Sequence, residues 1–156
     1  MKKIILAILG IACFFTMEAQ TYIGKTYYKS NAEKLNDDYC HGMFRSADGT
    51  IIDLLNENES SAGYINILEW LQGRVAGLQI YTYRYGVRIP FIRGSRANIY
   101  VDEMLVDPGY LNALSISDIA MIKVIKGAFA GSIGGNSAVA IYTIKAEEEE
   151  DEEEMK

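Results

Sequence analysis

Between Ile67 and Lys145 the chain is a series of short apolar runs cut apart by glycines and turn residues. Each run has the length of a strand or of a brief helix, and that punctuation limits what can form. Beyond the first residues no stretch reaches the roughly 18 consecutive apolar residues of a transmembrane helix. An eight-stranded outer-membrane barrel would need evenly spaced strands of about ten alternating residues. The helical pattern at Ile67, the turn Asp107-Pro108-Gly109 and the glycine-rich segment from Gly127 break such spacing. The expected class is α+β: a small mixed β-sheet with one main helix and short flanking helices.

The main helix is predicted from Ile67, Leu71 and Val75, which recur four apart with Leu68 beside them. Asn66 and Glu69 suit an N-cap and its box partner, and Gly73 or Gly77 suits the left-handed end. Leu78–Tyr83 and Val87–Ile92 alternate as strands around Gly86, with Pro90 favouring an edge or a bulge. Arg93–Arg96 reads as a loop. Asn98–Val101 and Met104–Val106 read as a hairpin around Asp102-Glu103, without the favoured glycine. Ser115 and Asp118 suit a capping box for one helical turn. Met121–Ile125 and Ala138–Ile144 read as strands joined by the small-residue turn Gly127–Gly135, with a helical turn at Ala128–Ala130. Upstream the pattern is thinner. Thr21-Tyr22-Ile23 suits a short strand, Asn31–Asp38 is polar, Ile51–Leu55 suits a strand or a helix turn, and Asn56–Ser61 reads as loop.

Four segments are expected: a signal peptide over 1–19, an N-terminal extension over 20–62, the main domain over 63–146 and an acidic disordered tail over 147–156. Lys2 and Lys3 precede the apolar run Ile4–Phe15, and Ala19-Gln20 offers a cleavage site. The rival is a lipoprotein cut before Cys13, after Gly10-Ile11-Ala12, although Gly10 stands where leucine is expected. Export to the periplasm or the outer membrane follows from either. The tail carries eight acids against a net charge of −6, so the rest of the chain sums to +2. A block of like charge buries nothing and does not fold. Without interleaved glycine it also lacks the geometry of a calcium loop.

Inventory excludes several chemistries. His41 is the single histidine, and no Gly-x-Ser-x-Gly elbow accompanies it. Asp102 and Glu103, as neighbours on a strand or turn, point apart. Cys40-His41 supplies two adjacent metal ligands where zinc needs three or four. The segment Gly127–Gly135 lacks the Lys-Ser/Thr ending of a phosphate loop. No catalytic residue, cofactor or metal is therefore expected. A nearly neutral body with an acidic tail gives no basis for binding nucleic acid. The candidate surface for a protein partner is Tyr81, Tyr83, Arg84, Tyr85, Arg88, Arg93 and Arg96, since Tyr and Arg join flat contact area to polar ends. A solvated hairpin face is the bland alternative.

The order of motifs over Tyr64–Lys145 resembles the plug domain of TonB-dependent outer-membrane receptors, especially the SusC/RagA-like receptors of Bacteroidetes. Leu71-Gln72-Gly73-Arg74-Val75-Ala76-Gly77 is similar to the family's Leu-x-Gly-Arg-x-x-Gly, and Ile92-Arg93-Gly94 to its Ile-Arg-Gly. Tyr100-Val101-Asp102-Glu103 resembles its Tyr-Val-Asp-Gly hairpin, with Glu103 in place of glycine. Asp118–Gly127 resembles its Asp-Ile-x-x-Ile-x-Val-x-Lys-Gly segment, and the turn around Gly134 its closing glycines. The resemblance implies structural roles for Gly73, Gly77, Arg93, Gly94, Asp102, Gly127 and Gly134. It implies an envelope protein as partner, an outer-membrane receptor barrel among the candidates. No TonB box is evident, and the chain has no room for a large barrel. Protein binding as an accessory or in signalling is the expected role; the alternative is a truncated or degenerate receptor fragment without transport, and an envelope hydrolase ranks third. The intact mass of the exported protein should correspond to a chain starting at Gln20. A diacylglyceryl species starting at Cys13 would instead establish the lipoprotein route.

Overall fold

The structure, a computed structural model, describes residues 29–130 and 136–145. The signal segment, the candidate strand at 21–23, Gly134 and the acidic tail lie outside the described residues. Five strands form a mixed sheet. In chain order these are β1 (Thr50–Asp53), β5 (Asn98–Val101), β6 (Met104–Val106), β7 (Ile119–Ile125) and β8 (Ala138–Thr143); in space they run β1-β7-β8-β5-β6. The β5–β8 pair is parallel and the others are antiparallel. A separate antiparallel sheet joins β2 (Leu78–Thr82), β3 (Arg88–Ile92) and β4 (Ser95–Arg96). This is the expected α+β class, drawn as two sheets.

Alternation along β7 and β8 sorts side chains to two faces. Ile122, Val124, Val139 and Ile141 enter one core with Ile67, Leu68, Trp70 and Leu71 of α4 (Ile67–Leu71). Met121, Ile125, Ala138, Ala140 and Tyr142 enter a second core with Leu35, Cys40 and Phe44. Those three come from α1 (Asn31–Tyr39) and α2 (Gly42–Ser46) and the turn between them. Both central strands are therefore covered on both sides. The small Ala138 and Ala140 leave room for Phe44, which meets Tyr100 and Phe129 edge-on with ring centroids 5.0 Å away in each case.

The helices fall differently from expectation. The helix at Ile67 stops after Leu71, with Gln72 already extended. Gly73 and Gly77 both take positive φ, +82° and +83°, so the chain turns where the spacing of Val75 suggested continuation. Val75 is still buried, from a loop. Asn66 does cap this helix, accepting from Leu68 N at 2.9 Å. The longer helices lie upstream. Asn31–Tyr39 is a helix with a full Ser30/Glu33 capping box. Asn56–Ser61, read as loop, belongs to α3 (Leu54–Ser61), where the Asp53 carboxylate accepts from Asn56 N at 3.2 Å. Both helices are polar, and polar composition hid them.

Smaller corrections have local causes. Ser95–Arg96 pairs with Phe91–Ile92 across the two-residue turn Arg93-Gly94, both at positive φ, so that segment is a hairpin. The turn at Ile116–Asp118 is a 3-10 helix without a side-chain cap, because the Ser115 hydroxyl bonds Ser117 instead. Residues 128–130 form no helical turn, and Phe129 is buried. Pro90 lies inside β3. Its carbonyl accepts from Ala97 N at 2.9 Å, away from β2, so the missing N–H faces the same side and costs no bond to β2. Leu71 is fully buried. Leu71→Ala should lower unfolding free energy in urea by about 2–5 kcal/mol, the range for a leucine cavity.

Candidate functional site

The seven residues proposed as a partner surface divide into three groups. Tyr81, Tyr83, Arg84 and Tyr85 gather at the β2–β3 tip. Tyr83 N donates to Val87 O at 2.8 Å to close the connection, and Tyr85 sits at φ +63° with its side chain 99% exposed. Tyr83 is exposed, and Tyr81 leans edge-on against Phe91 at 5.0 Å while half its surface meets solvent. Arg88 is drawn away from the tip by Glu69, Nη2 to Oε2 at 2.9 Å, with 22% of its side chain exposed. Arg93 and Arg96 sit at the opposite end of β3, one strand length or about 17 Å away. Four residues therefore form one surface.

Among the residues marked by motif, Asp102 is the most heavily used. Asp102 and Glu103 both take positive φ, +47° and +66°, so the hairpin turn is built without glycine. The Asp102 carboxylate accepts from Thr143 N at 2.9 Å and Thr143 Oγ1 at 2.8 Å, and Asp102 N donates to Ile141 O at 2.9 Å. The Glu103 carboxylate turns the other way. Its Oε1 accepts from His41 N at 2.5 Å and from the Tyr142 hydroxyl at 3.3 Å. The two acids point apart, as neighbours in a turn must. Gly127 is exposed with open space around its Cα, so nothing in its surroundings explains a glycine there.

Two groups were not singled out from sequence. Lys123 is almost wholly buried in β7. Its ammonium donates to Asn36 Oδ1 and to Phe44 O, both at 2.6 Å, and burial pushes its pKa below the ordinary lysine range. The second is Tyr142, whose hydroxyl lies among Cys40 and Glu103; burial, then Cys40, drives its pKa strongly upward. Cys40 is buried and its thiol pKa is raised by the same desolvation, which keeps it protonated and unreactive. A buried lysine inside an apolar strand reads from sequence as an exposed alternate position, so its burial was invisible there. Among the described residues no cluster of three histidine, cysteine, aspartate or glutamate side chains can hold a metal.

A mixed α+β fold, a hairpin at Asp102 and positive-φ glycines at 73 and 77 between α4 and β2 now stand together. The sequence profile of the TonB-dependent Receptor Plug Domain family matches residues 49–141. The chain belongs to that family. Among solved structures, this plug domain is similar to the RagAB peptide importer in its closed-closed state, with a TM-score of 0.53 and 24% identity. The open-open state gives 0.50 and 25%, and a structure of the RagAB peptide transporter gives 0.51 and 26%. Each comparison covers 64% of this chain and 12% of the other. The plug domain thus spans about an eighth of the length of those chains. No curated protein matches. Among the described residues no helix is long and apolar enough to cross a membrane. The matched region of the plug begins at the threshold of β1, so α1 and α2 lie ahead of it.

The raised Tyr142 pKa has a sign that can be measured. In the folded plug the phenol stays protonated beyond its ordinary value of 10, whereas in the unfolded chain it ionises there. The contribution to stability is complete below that value and is lost as pH climbs above it. Urea unfolding from pH 8 to 11 should show wild type falling more steeply than Tyr142→Phe above about pH 10.

Proposed function

We propose that this plug domain works by protein binding in the cell envelope, as an accessory to an outer-membrane receptor or signalling system, and catalyses no reaction. The observation that carries the reading is the β2–β3 tip. Three exposed tyrosines and Arg84 stand together on a short, hydrogen-bonded projection. Rigid aromatic side chains lose little entropy when buried against a partner, and they dominate contact energies. Family membership supports placement at the outer membrane, and the N-terminal basic and apolar run supports export. Membership in a receptor plug family supports a receptor or its assembly as partner. Burial of Cys40, which raises its thiol pKa, favours binding over hydrolysis.

A second reading is a truncated or degenerate receptor fragment without transport activity. On this reading the domain keeps the family fold while the tip meets no specific partner.

Crosslinking in cells followed by mass spectrometry separates the two. A specific envelope protein joined to the tip supports the first reading, and no specific partner supports the second. With a partner in hand, Tyr83→Ala and Tyr85→Ala should each weaken binding by about 1 kcal/mol or more, with circular dichroism unchanged. Arg88→Ala should leave affinity nearly intact, because that side chain serves Glu69. Unchanged binding by the Tyr83/Tyr85 double variant would move the contact elsewhere.

A further inference from the structure

The segment 29–48 lies ahead of the region matched to the family and yet closes one whole face of the sheet. It does so with few apolar side chains: Leu35, Cys40 and Phe44 are its buried members, with Tyr39 and Ala47 partly buried against the same core. Among the described residues, no backbone–backbone hydrogen bond joins it to a strand. Its polar ties come from side chains of the sheet. Lys123 donates to Asn36 Oδ1 and Phe44 O, Lys145 to Asp38 O, and Glu103 accepts from His41 N. Internally the segment is well held. Asp37 pairs with Lys29 and Arg45, and Asn36 Nδ2 donates to Arg45 O at 3.0 Å, so α1 and α2 form one piece. The chain then enters β1 past Gly49, where a Cβ would lie 3.0 Å from Val124 O.

We infer that residues 29–48 are a strap, latched by Glu103 and Lys123, that opens as a unit while the opposite layer of the plug stays folded. The unequal construction of the two layers carries this. The α4 side is part of the larger core, with Trp70 and Leu71 fully buried and Trp70 Nε1 tied to Ser60 O at 3.1 Å. The strap side rests on the smaller core and on side-chain ties that can be broken one at a time. Elements with few buried apolar contacts open below the global unfolding free energy. Glu103 is the sharpest probe. It holds the strap from a positive-φ position that glycine would occupy more easily. Replacing it by glycine removes the latch and relieves the backbone at once.

The test uses the full chain. Alkylation of Cys40 by iodoacetamide in native buffer is followed by mass spectrometry of the Cys40 peptide, and Trp70 fluorescence reports the opposite layer. Glu103→Gly should speed Cys40 alkylation about tenfold, the worth of one charge-assisted hydrogen bond. The urea midpoint read by Trp70 should stay where it was. Lys123→Met should act on Cys40 in the same direction. Hydrogen exchange needs no substitution: amides of 31–46 should exchange roughly tenfold or more faster than those of β7 and β8. Cys40 alkylation that is unchanged in Glu103→Gly, or that only tracks Trp70 unfolding, would overturn the strap. So would exchange in 31–46 as slow as in β7 and β8, since the domain would then open as a single unit.

Discussion

The two central strands, β7 and β8, are buried on both faces, and the rest of the architecture answers that need. A strand apolar on alternate sides requires two covering layers, since exposing either face would leave a row of large side chains in water. On one side the cover is α3 and α4 with the loop that follows α4. On the other it is α1 and α2. Only the first lies within the region matched to the plug family.

The polar groups inside this sandwich hold the second cover in place. Lys123 projects from β7 into the second layer, where two neutral oxygens at 2.6 Å receive its ammonium. Burial pushes the pKa of this lysine down, and the two oxygens that accept from its ammonium offset part of that desolvation. Glu103 performs the complementary task by accepting. Its position in a tight hairpin turn, at φ +66°, is a conformation most residues avoid. The side-chain bonds of Asp102 to Thr143 and of Glu103 to His41 offset that cost, which explains how this turn dispenses with glycine.

The proposed contact surface lies where the core does not reach. The β2–β3 tip contributes no buried side chain, while the ring of Tyr85 stands almost wholly in solvent. Splitting the seven candidate residues into a tip, an ion-paired arginine and a distal pair changes what the surface is. It is an aromatic point with a single guanidinium, and the arginines of β3 and β4 belong to other environments.

Sequence by itself determined six of the eight strands and most of their turns, because alternation and the Asp107-Pro108-Gly109 and Gly86 signals are local properties of the chain; Ser95–Arg96 read as a loop and Ile51–Leu55 as strand or helix turn. It also determined the family, since the order of Gly73, Gly77, Arg93-Gly94, Asp102 and Asp118–Gly127 survives without any view of the fold. The upstream helix Asn31–Tyr39 was carried by capping instead of apolar periodicity. Ser30 with Glu33 was a readable signal, and the polar run after it masked the helix. Tertiary structure alone decided the burial of Lys123, the departure of Arg88 from the tip and the pairing of Glu103 with His41. Each depends on residues far apart in the chain, 62 positions in the last case, and no local pattern encodes which of them will meet. Their meeting is set by the register of β5, β7 and β8 and by the need to cover a sheet that is apolar on both sides.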